Sequence, residues 1–301
     1  MARISEIKEQ QTVVRTVGNF TNSLQQIAAM RMVKLRKIVF SSRRFVDEAT
    51  LILRELHLER AKSVEKLMGK KSKSRSRVSQ SAPGVPEILD NIRRKAIIVI
   101  TSDIGLCGSY NTEIIKKMQE VMPLHPDADY FVLGHKGQNF MDRVSGRYNI
   151  KYYPYNIPEE VSIVDLKPLI GMFYYYTQIY LVYSRFLNTA TREVVFMELS
   201  VPNIDEVELK KEKAEGKYIF EPSIEDLIAS VSARVRYALF RQQILDSKLS
   251  LYTAQMIAMK TASDNANELL NDLQFEYNKS RRKIVDKKIM EVQAGRSLWS
   301  T

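Results

Sequence analysis

The chain has 301 residues, 45% of them hydrophobic and 27% charged, a balance too apolar for a disordered chain and ordinary for a globular protein of about two domains. Its one cysteine, Cys107, excludes an internal disulfide, and a reducing compartment is the simplest setting. Lysine and arginine outnumber acidic residues 46 to 35. Residues 1–80, with 18 basic against 7 acidic side chains, account for an excess equal to that of the whole chain, so this arm is expected to face an acidic partner.

The opening MARISEIKEQ lacks the apolar core of a signal peptide, and Glu6 and Glu9 argue against a transit peptide. A cytoplasmic protein is expected. From Val14, alternating steps of three and four pick out Val14, Val17, Thr21, Leu24, Ala28, Arg31, Leu35, Ile38, Ser42, Phe45, Ala49, Ile52 and Leu56, ten of the thirteen apolar. No proline interrupts the run, which predicts a long amphipathic helix over 1–68 with one narrow seam.

Residues 69–95 hold the run KKSKSRSR, Lys70 to Arg77, followed by SQSAPGVP. They read as a basic linker or insertion between a helix and the next domain. Their charge supports a second functional reading, a coiled-coil protein that binds nucleic acid. No aromatic residue is interleaved for base stacking, so nucleic acid is not the expected partner.

Over 96–221 the period changes. Strand-like runs at Ala96 to Thr101, Tyr130 to Leu133, Gln178 to Tyr183 and Glu193 to Val201 alternate with helical patterns at Asn111 to Met122, Lys136 to Gly146 and Ile163 to Tyr176. This predicts an α/β domain, a small mostly parallel sheet with helices on its faces. The longest uncharged stretch, Pro168 to Ser184, is broken by Gly171, Thr177 and Gln178 and reads as a helix followed by a strand, not as a membrane span.

Chemistry is sparse here. The loop Ser102 to Gly108, SDIGLCG, leads from a strand into a helix, where α/β folds hold phosphate, but it has neither the G-x-G-x-x-G spacing nor a Gly-Lys-Ser/Thr triplet. No motif brings His57, His125 or His135 to Cys107, so a packed thiol is expected rather than a nucleophile. Glu159 and Glu160 fall in polar loop sequence and read as solvated. No catalytic, cofactor or metal site is expected in the chain.

Residues 222–301 form the cleanest element. The alternation runs through Ile224, Ile228, Val231, Val235, Ala238, Gln242, Leu245, Leu249, Tyr252, Met256, Met259, Ser263, Ala266, Leu270, Leu273 and Tyr277. A period of 3.5 held that long implies supercoiling against another helix. Ser223 and Asp226 supply a capping pattern at its start. The two terminal helices are expected to pair as a long antiparallel coiled coil, leaving the tip at about Ser280 to Ser297 in need of a sleeve. Two basic clusters mark this element pair: Met30, Arg31, Lys34, Arg36 and Lys37 on the first helix, and Lys279, Arg281, Arg282, Lys283, Lys287 and Lys288 on the second.

Several motifs resemble one family. SDIGLCGSYN at Ser102 to Asn111, AMRMV at Ala29 to Val33 with KLRK at Lys34 to Lys37, YIFEP at Tyr218 to Pro222, AMKTASDNA at Ala258 to Ala266 and EYNKSRR at Glu276 to Arg282 resemble the gamma subunit of F-type ATP synthases, in that family's order. The resemblance implies a non-catalytic central stalk, one copy per complex. Its paired helices would turn inside a hexamer of alpha and beta subunits that holds ATP, ADP and Mg. Its α/β domain would sit beside an epsilon subunit and the membrane rotor ring, on the cytoplasmic face of the bacterial plasma membrane.

By motif position, Met30 and Arg31 match the family's bearing segment, Arg281 the arginine that engages an acidic catch loop, and Tyr218 and Glu221 the segment near the rotor ring. Departures are also visible. Lys34 follows Val33 directly where the family usually has about three small residues, Gln255 stands where arginine is common, and Asp286, Lys287 and Lys288 replace a Thr-Gln-Glu pattern. They leave a specialised F-type-like rotary ATPase as the alternative reading.

Overall fold

The computed structural model describes residues 2–68, 95–148, 150–158, 161–199 and 223–299. Two elements dominate by length: α1, Ala2–Met68, and α5, Ile224–Trp299. At 1.5 Å per residue the 76 residues of α5 span about 114 Å. Its start is capped as expected, with the Asp226 backbone N–H donating to Ser223 Oγ at 3.1 Å. Contacts divide the chain into two compact units: Met1–Met32 with Leu106–Gly108 and Tyr252–Thr301, and Val33–Gly105 with Ser109–Leu251.

The second unit carries the sheet. Its strands are β1 (Lys95–Ile100), β2 (Asp129–Leu133), β3 (Tyr152–Tyr155), β4 (Gln178–Phe186) and β5 (Arg192–Glu198), in the order β3-β2-β1-β4-β5. Every pairing is parallel except β4 with β5. In the central β1, Ala96 through Ile100 are all buried, as a continuous apolar run must be when both faces of a parallel sheet are covered. Between the strands lie α2 (Tyr110–Val121), α3 (His135–Tyr148) and α4 (Ile163–Met172). Helix α2 buries Tyr110, Ile114, Met118 and Val121, a stripe at helical spacing.

Two expectations need correction. The strand β3, YYPY, is unpredicted; it lies at the sheet edge, where Pro154 removes no inward ladder bond. The helix expected over Ile163 to Tyr176 ends at Met172 and closes with a tighter 3₁₀ turn, Phe173–Tyr175.

Thr101, just after β1, knits the sheet to α3. Its Oγ1 donates to the Leu133 carbonyl at 2.8 Å and accepts from Gly137 N–H at 2.9 Å. Gly134 is required between them: its φ is +95°, and a Cβ there would lie 2.6 Å from the Thr101 carbonyl oxygen. On the long helices this unit buries Val39, Val46, Leu53 and Leu56 of α1, and Val235, Ile244, Leu245 and Leu249 of α5.

In the first unit α1 and α5 run antiparallel. Gln11 Nε2 donates to Gln274 Oε1 at 3.3 Å, Lys8 lies over the Tyr277 ring at 5.6 Å, and Arg31 over the Tyr252 ring at 5.6 Å. The helices are close at Gly18, where a Cβ would lie 3.4 Å from Ala266 Cβ, a van der Waals contact.

On α5 one column of the expected seam is buried, Tyr252, Met259, Ala266 and Leu273, while the alternate column, Met256, Ser263, Leu270 and Tyr277, is half-buried. On α1 only half of the expected seam is correct. Thr21, Ala28 and Leu56 face inward, but the alternate column is shifted by one residue. Val17, Ile38, Phe45 and Ile52 are exposed, and their neighbours Gly18, Val39, Val46 and Leu53 are enclosed instead.

Candidate interaction surface

In the first unit the named residues lie on two exposed stretches. Met30 is 64% exposed, and the exposed Arg31 rests its guanidinium on Tyr252, a cation–π contact. Further along α5, Lys279, Arg281, Arg282, Lys283, Lys287 and Lys288 are all exposed. Lys287 Nζ is 3.8 Å from Glu291 Oε1 across one helical turn, a solvated pair of small value. Ile4, Phe275, Lys279, Lys283 and Ile284 line a shallow groove of about 450 Å³ between the start of α1 and α5.

From Val285 to Ala294 every residue of α5 is exposed, apolar ones included: Val285 48%, Ile289 50%, Met290 63% and Val292 71%. Val285, Ile289 and Val292 share one helix face by spacing, so an apolar stripe flanked by lysines lies open to solvent.

In the second unit Lys34 and Arg36 are exposed on α1. The guanidinium groups of Arg36 and Arg43 both sit against the Phe40 ring, at 5.7 and 5.8 Å. Arg43 Nη2 also donates to Asp246 Oδ1 of α5 at 2.8 Å and to the Phe186 carbonyl of β4 at 3.3 Å. Burial pushes the Asp246 carboxyl above its ordinary value, opposed by the charges of Arg43 and Arg185 and by the Arg43 hydrogen bond. Sequence reading missed both partners. The available signal was a charge one place off the seam on each helix, Arg43 after Ser42 and Asp246 after Leu245.

The loop between β1 and α2, where a phosphate would sit in other α/β folds, is engaged by the chain itself. Ser102 N–H donates to Asn111 Oδ1, Ser102 Oγ to the Ile104 carbonyl, and Asp103 Oδ1 accepts from His135 N–H. At the first turn of α2, Glu113 accepts from Ser109 Oγ at 2.6 Å and from Arg192 at 2.9 Å. That carboxylate takes the favourable position for negative charge at a helix start. Cys107 is buried. His125 is stacked on Tyr180 and beside Phe196, and burial with nearby Lys95 lowers its pKa. Among the described residues no group of three His, Cys, Asp or Glu side chains is placed to hold a metal, and no helix is long and apolar enough to cross a membrane. Tyr218, Glu221, the run Lys70 to Arg77 and the pair Glu159 and Glu160 lie outside the described residues.

Comparison with known proteins gives a consistent family. The profile of the ATP synthase family matches residues 3–297. The ATP synthase gamma chain of Nitrosospira multiformis is 29% identical over 98% of this chain and 99% of its own length. That of Flavobacterium johnsoniae is 26% identical over 98% of both. Among solved structures, a chain of the Tetrahymena thermophila mitochondrial ATP synthase central stalk and c-ring aligns with a TM-score of 0.55 at 22% identity, covering 81% of this chain and 99% of that one. A chain of the Euglena gracilis mitochondrial ATP synthase aligns at 0.51 and 14%, covering 88% and 93%. The structural likenesses speak to fold.

Proposed function

The chain belongs to the ATP synthase family, and we propose that it is the gamma chain of an F-type complex, the central stalk that couples rotation of a membrane ring to ATP synthesis or hydrolysis. It is not itself a catalyst. Nucleotide and Mg are bound by alpha and beta subunits of a surrounding hexamer, within which the paired α1 and α5 turn. An epsilon subunit and the membrane ring contact the rest of the chain, making it a peripheral protein of the cytoplasmic membrane face.

The observation that carries this reading is the end of α5. Its apolar stripe Val285, Ile289 and Val292 is exposed beside basic residues, and an uncovered stripe of that kind marks an interaction site. Inside a ring of other subunits, an asymmetric helix pair touches each surrounding subunit differently. Differential contact is the requirement for one partner to shift another's conformational equilibrium. In this role Met30, Arg31, Lys34 and Arg36 serve as bearing contacts, while Arg281, Arg282, Lys287 and Lys288 meet acidic loops of the hexamer.

Affinity purification of the tagged chain from its native membranes tests this. ATP-hydrolysing alpha and beta subunits are expected to copurify with it. Recovery of the chain without them overturns the proposal.

A further inference from the structure

Segment 243–251 of α5 is enclosed at every position but Lys248, yet Gln243, Asp246, Ser247 and Ser250 within it are polar. Hydrophobic burial is non-directional and leaves a helix free to settle in neighbouring rotational registers, whereas hydrogen bonds fix direction. Three of the four polar residues bond to other elements. Tyr110 Oη of α2 lies 2.7 Å from Ser247 Oγ, and Ser184 Oγ of β4 lies 2.6 Å from Ser250 Oγ. Arg43 of α1 donates to Asp246 at 2.8 Å, and the same Nη2 reaches the Phe186 carbonyl at 3.3 Å.

Arg43 therefore ties three elements at one point: α1, α5 and the end of β4. The carboxylate it meets is 4% exposed. Burying such a pair seldom adds stability over an apolar pair of the same size, because desolvation offsets the attraction. What the pair does supply is geometry, since the two hydrogens of Nη2 lie in the rigid guanidinium plane and point at two acceptors on different elements.

We propose that Arg43 is a positioning residue for torque, the joint through which turning force passes between the α1–α5 pair and the sheet within the second unit. The proposal rests on the stalk reading above. The directional bonds at Ser247 and Ser250 keep α5 in register on the sheet side, while Arg43 closes the same joint from α1.

The test uses the complex of this chain with its alpha–beta hexamer, immobilised through the hexamer. A probe is attached at Tyr175→Cys, a position 76% exposed, while Cys107 is buried at 2%. Torsional stiffness is read from the thermal angular fluctuation of the probe. Arg43→Ala is expected to lower stiffness about twofold, through loss of charge-assisted directional bonds. Arg43→Lys, which keeps the charge but not the planar donor group, should fall between. The exchange Arg43→Asp with Asp246→Arg should regain part of the loss.

Unchanged stiffness in Arg43→Ala, even with a lowered melting temperature, overturns the proposal, because a merely structural contact would behave that way. If Arg43→Ala does not fold, Arg43→Lys decides: stiffness equal to that of the unmodified chain overturns the joint. A complex that never assembles with the unmodified chain removes the stalk reading instead, so the two failures are distinct.

Discussion

Two glycines of α3 show how surroundings decide the sign of one substitution. In a helix interior Gly→Ala ordinarily stabilises by about 0.5–1 kcal/mol. A Cβ added at Gly146, in the last turn of α3, would meet nothing within 4 Å, so Gly146→Ala should stabilise in the same direction, by less than an interior position gains. At Gly137 the added carbon would meet Thr101 Oγ1 at 2.7 Å and Val132 Cγ1 at 2.8 Å. Thr101 cannot turn aside without breaking its bonds to Leu133 and Gly137. Gly137→Ala should therefore destabilise by about 1–3 kcal/mol, the range for overpacking. Denaturant melts of the two variants check this; equal shifts would contradict the close approach of α3 to β1.

A second residue-scale expectation concerns Asp246. Its folded-state pKa is raised, so the folded chain holds this proton more tightly than the unfolded chain does. The resulting stabilisation is full below the unfolded value near 3.9 and is lost as pH rises through the folded value. Asp246→Asn does not titrate. From about pH 4 upward its stability should improve relative to the unmodified chain, by about 1.4 kcal/mol for each unit of the shift. Thermal melts across this range measure the difference, and a constant difference would show that burial does not govern the carboxyl.

At the scale of elements, adjacent positions on α1 give a sharper contrast. Leu53 is 1% exposed and Ile52 is 53% exposed. Leu53→Ala should cost about 2–5 kcal/mol by leaving a cavity, while Ile52→Ala should cost under about 1 kcal/mol. Chemical denaturation distinguishes them, and the reverse order would restore the seam expected from sequence. That seam was half legible for a physical reason. Ile38 with Val39, Phe45 with Val46 and Ile52 with Leu53 are adjacent apolar pairs, so hydropathy does not choose the inward member; tertiary packing does.

On α5 beyond Tyr252 the inward column was visible, because Met259, Ala266 and Leu273 have polar residues on at least one side, whereas over 243–251 nearly every position is enclosed and no column stands out. Strands β1, β2, β4 and β5 were legible as apolar runs, whereas Tyr152–Tyr155 is short, contains a proline and draws its order from β2. The exposed basic clusters were also readable as charge. The Arg43–Asp246 joint was not, since it depends on which column of α1 meets α5.

For the whole molecule, the exposed basic end of α5 gives a prediction that separates fold from coupling. Arg281 and Arg282 are exposed, and glutamate is about as good a helix former as arginine. The double reversal Arg281→Glu with Arg282→Glu should therefore leave far-UV helicity of the isolated chain nearly unchanged. If the stalk proposal holds, the same change within an assembled complex turns attraction to acidic loops of the hexamer into repulsion. At about 0.2–1 kcal/mol for each exposed pair, the two should together weaken ATP-driven pumping severalfold relative to hydrolysis. The deficit should be largest at low salt and shrink as ionic strength rises, because exposed charges are screened over a Debye length of about 10 Å at 0.1 M. Pumping and hydrolysis measured side by side in reconstituted vesicles, at two salt concentrations, provide the readout. A deficit that ignores salt would point to altered packing of the helix, and full coupling in the reversed variant would leave both arginines as solvated surface.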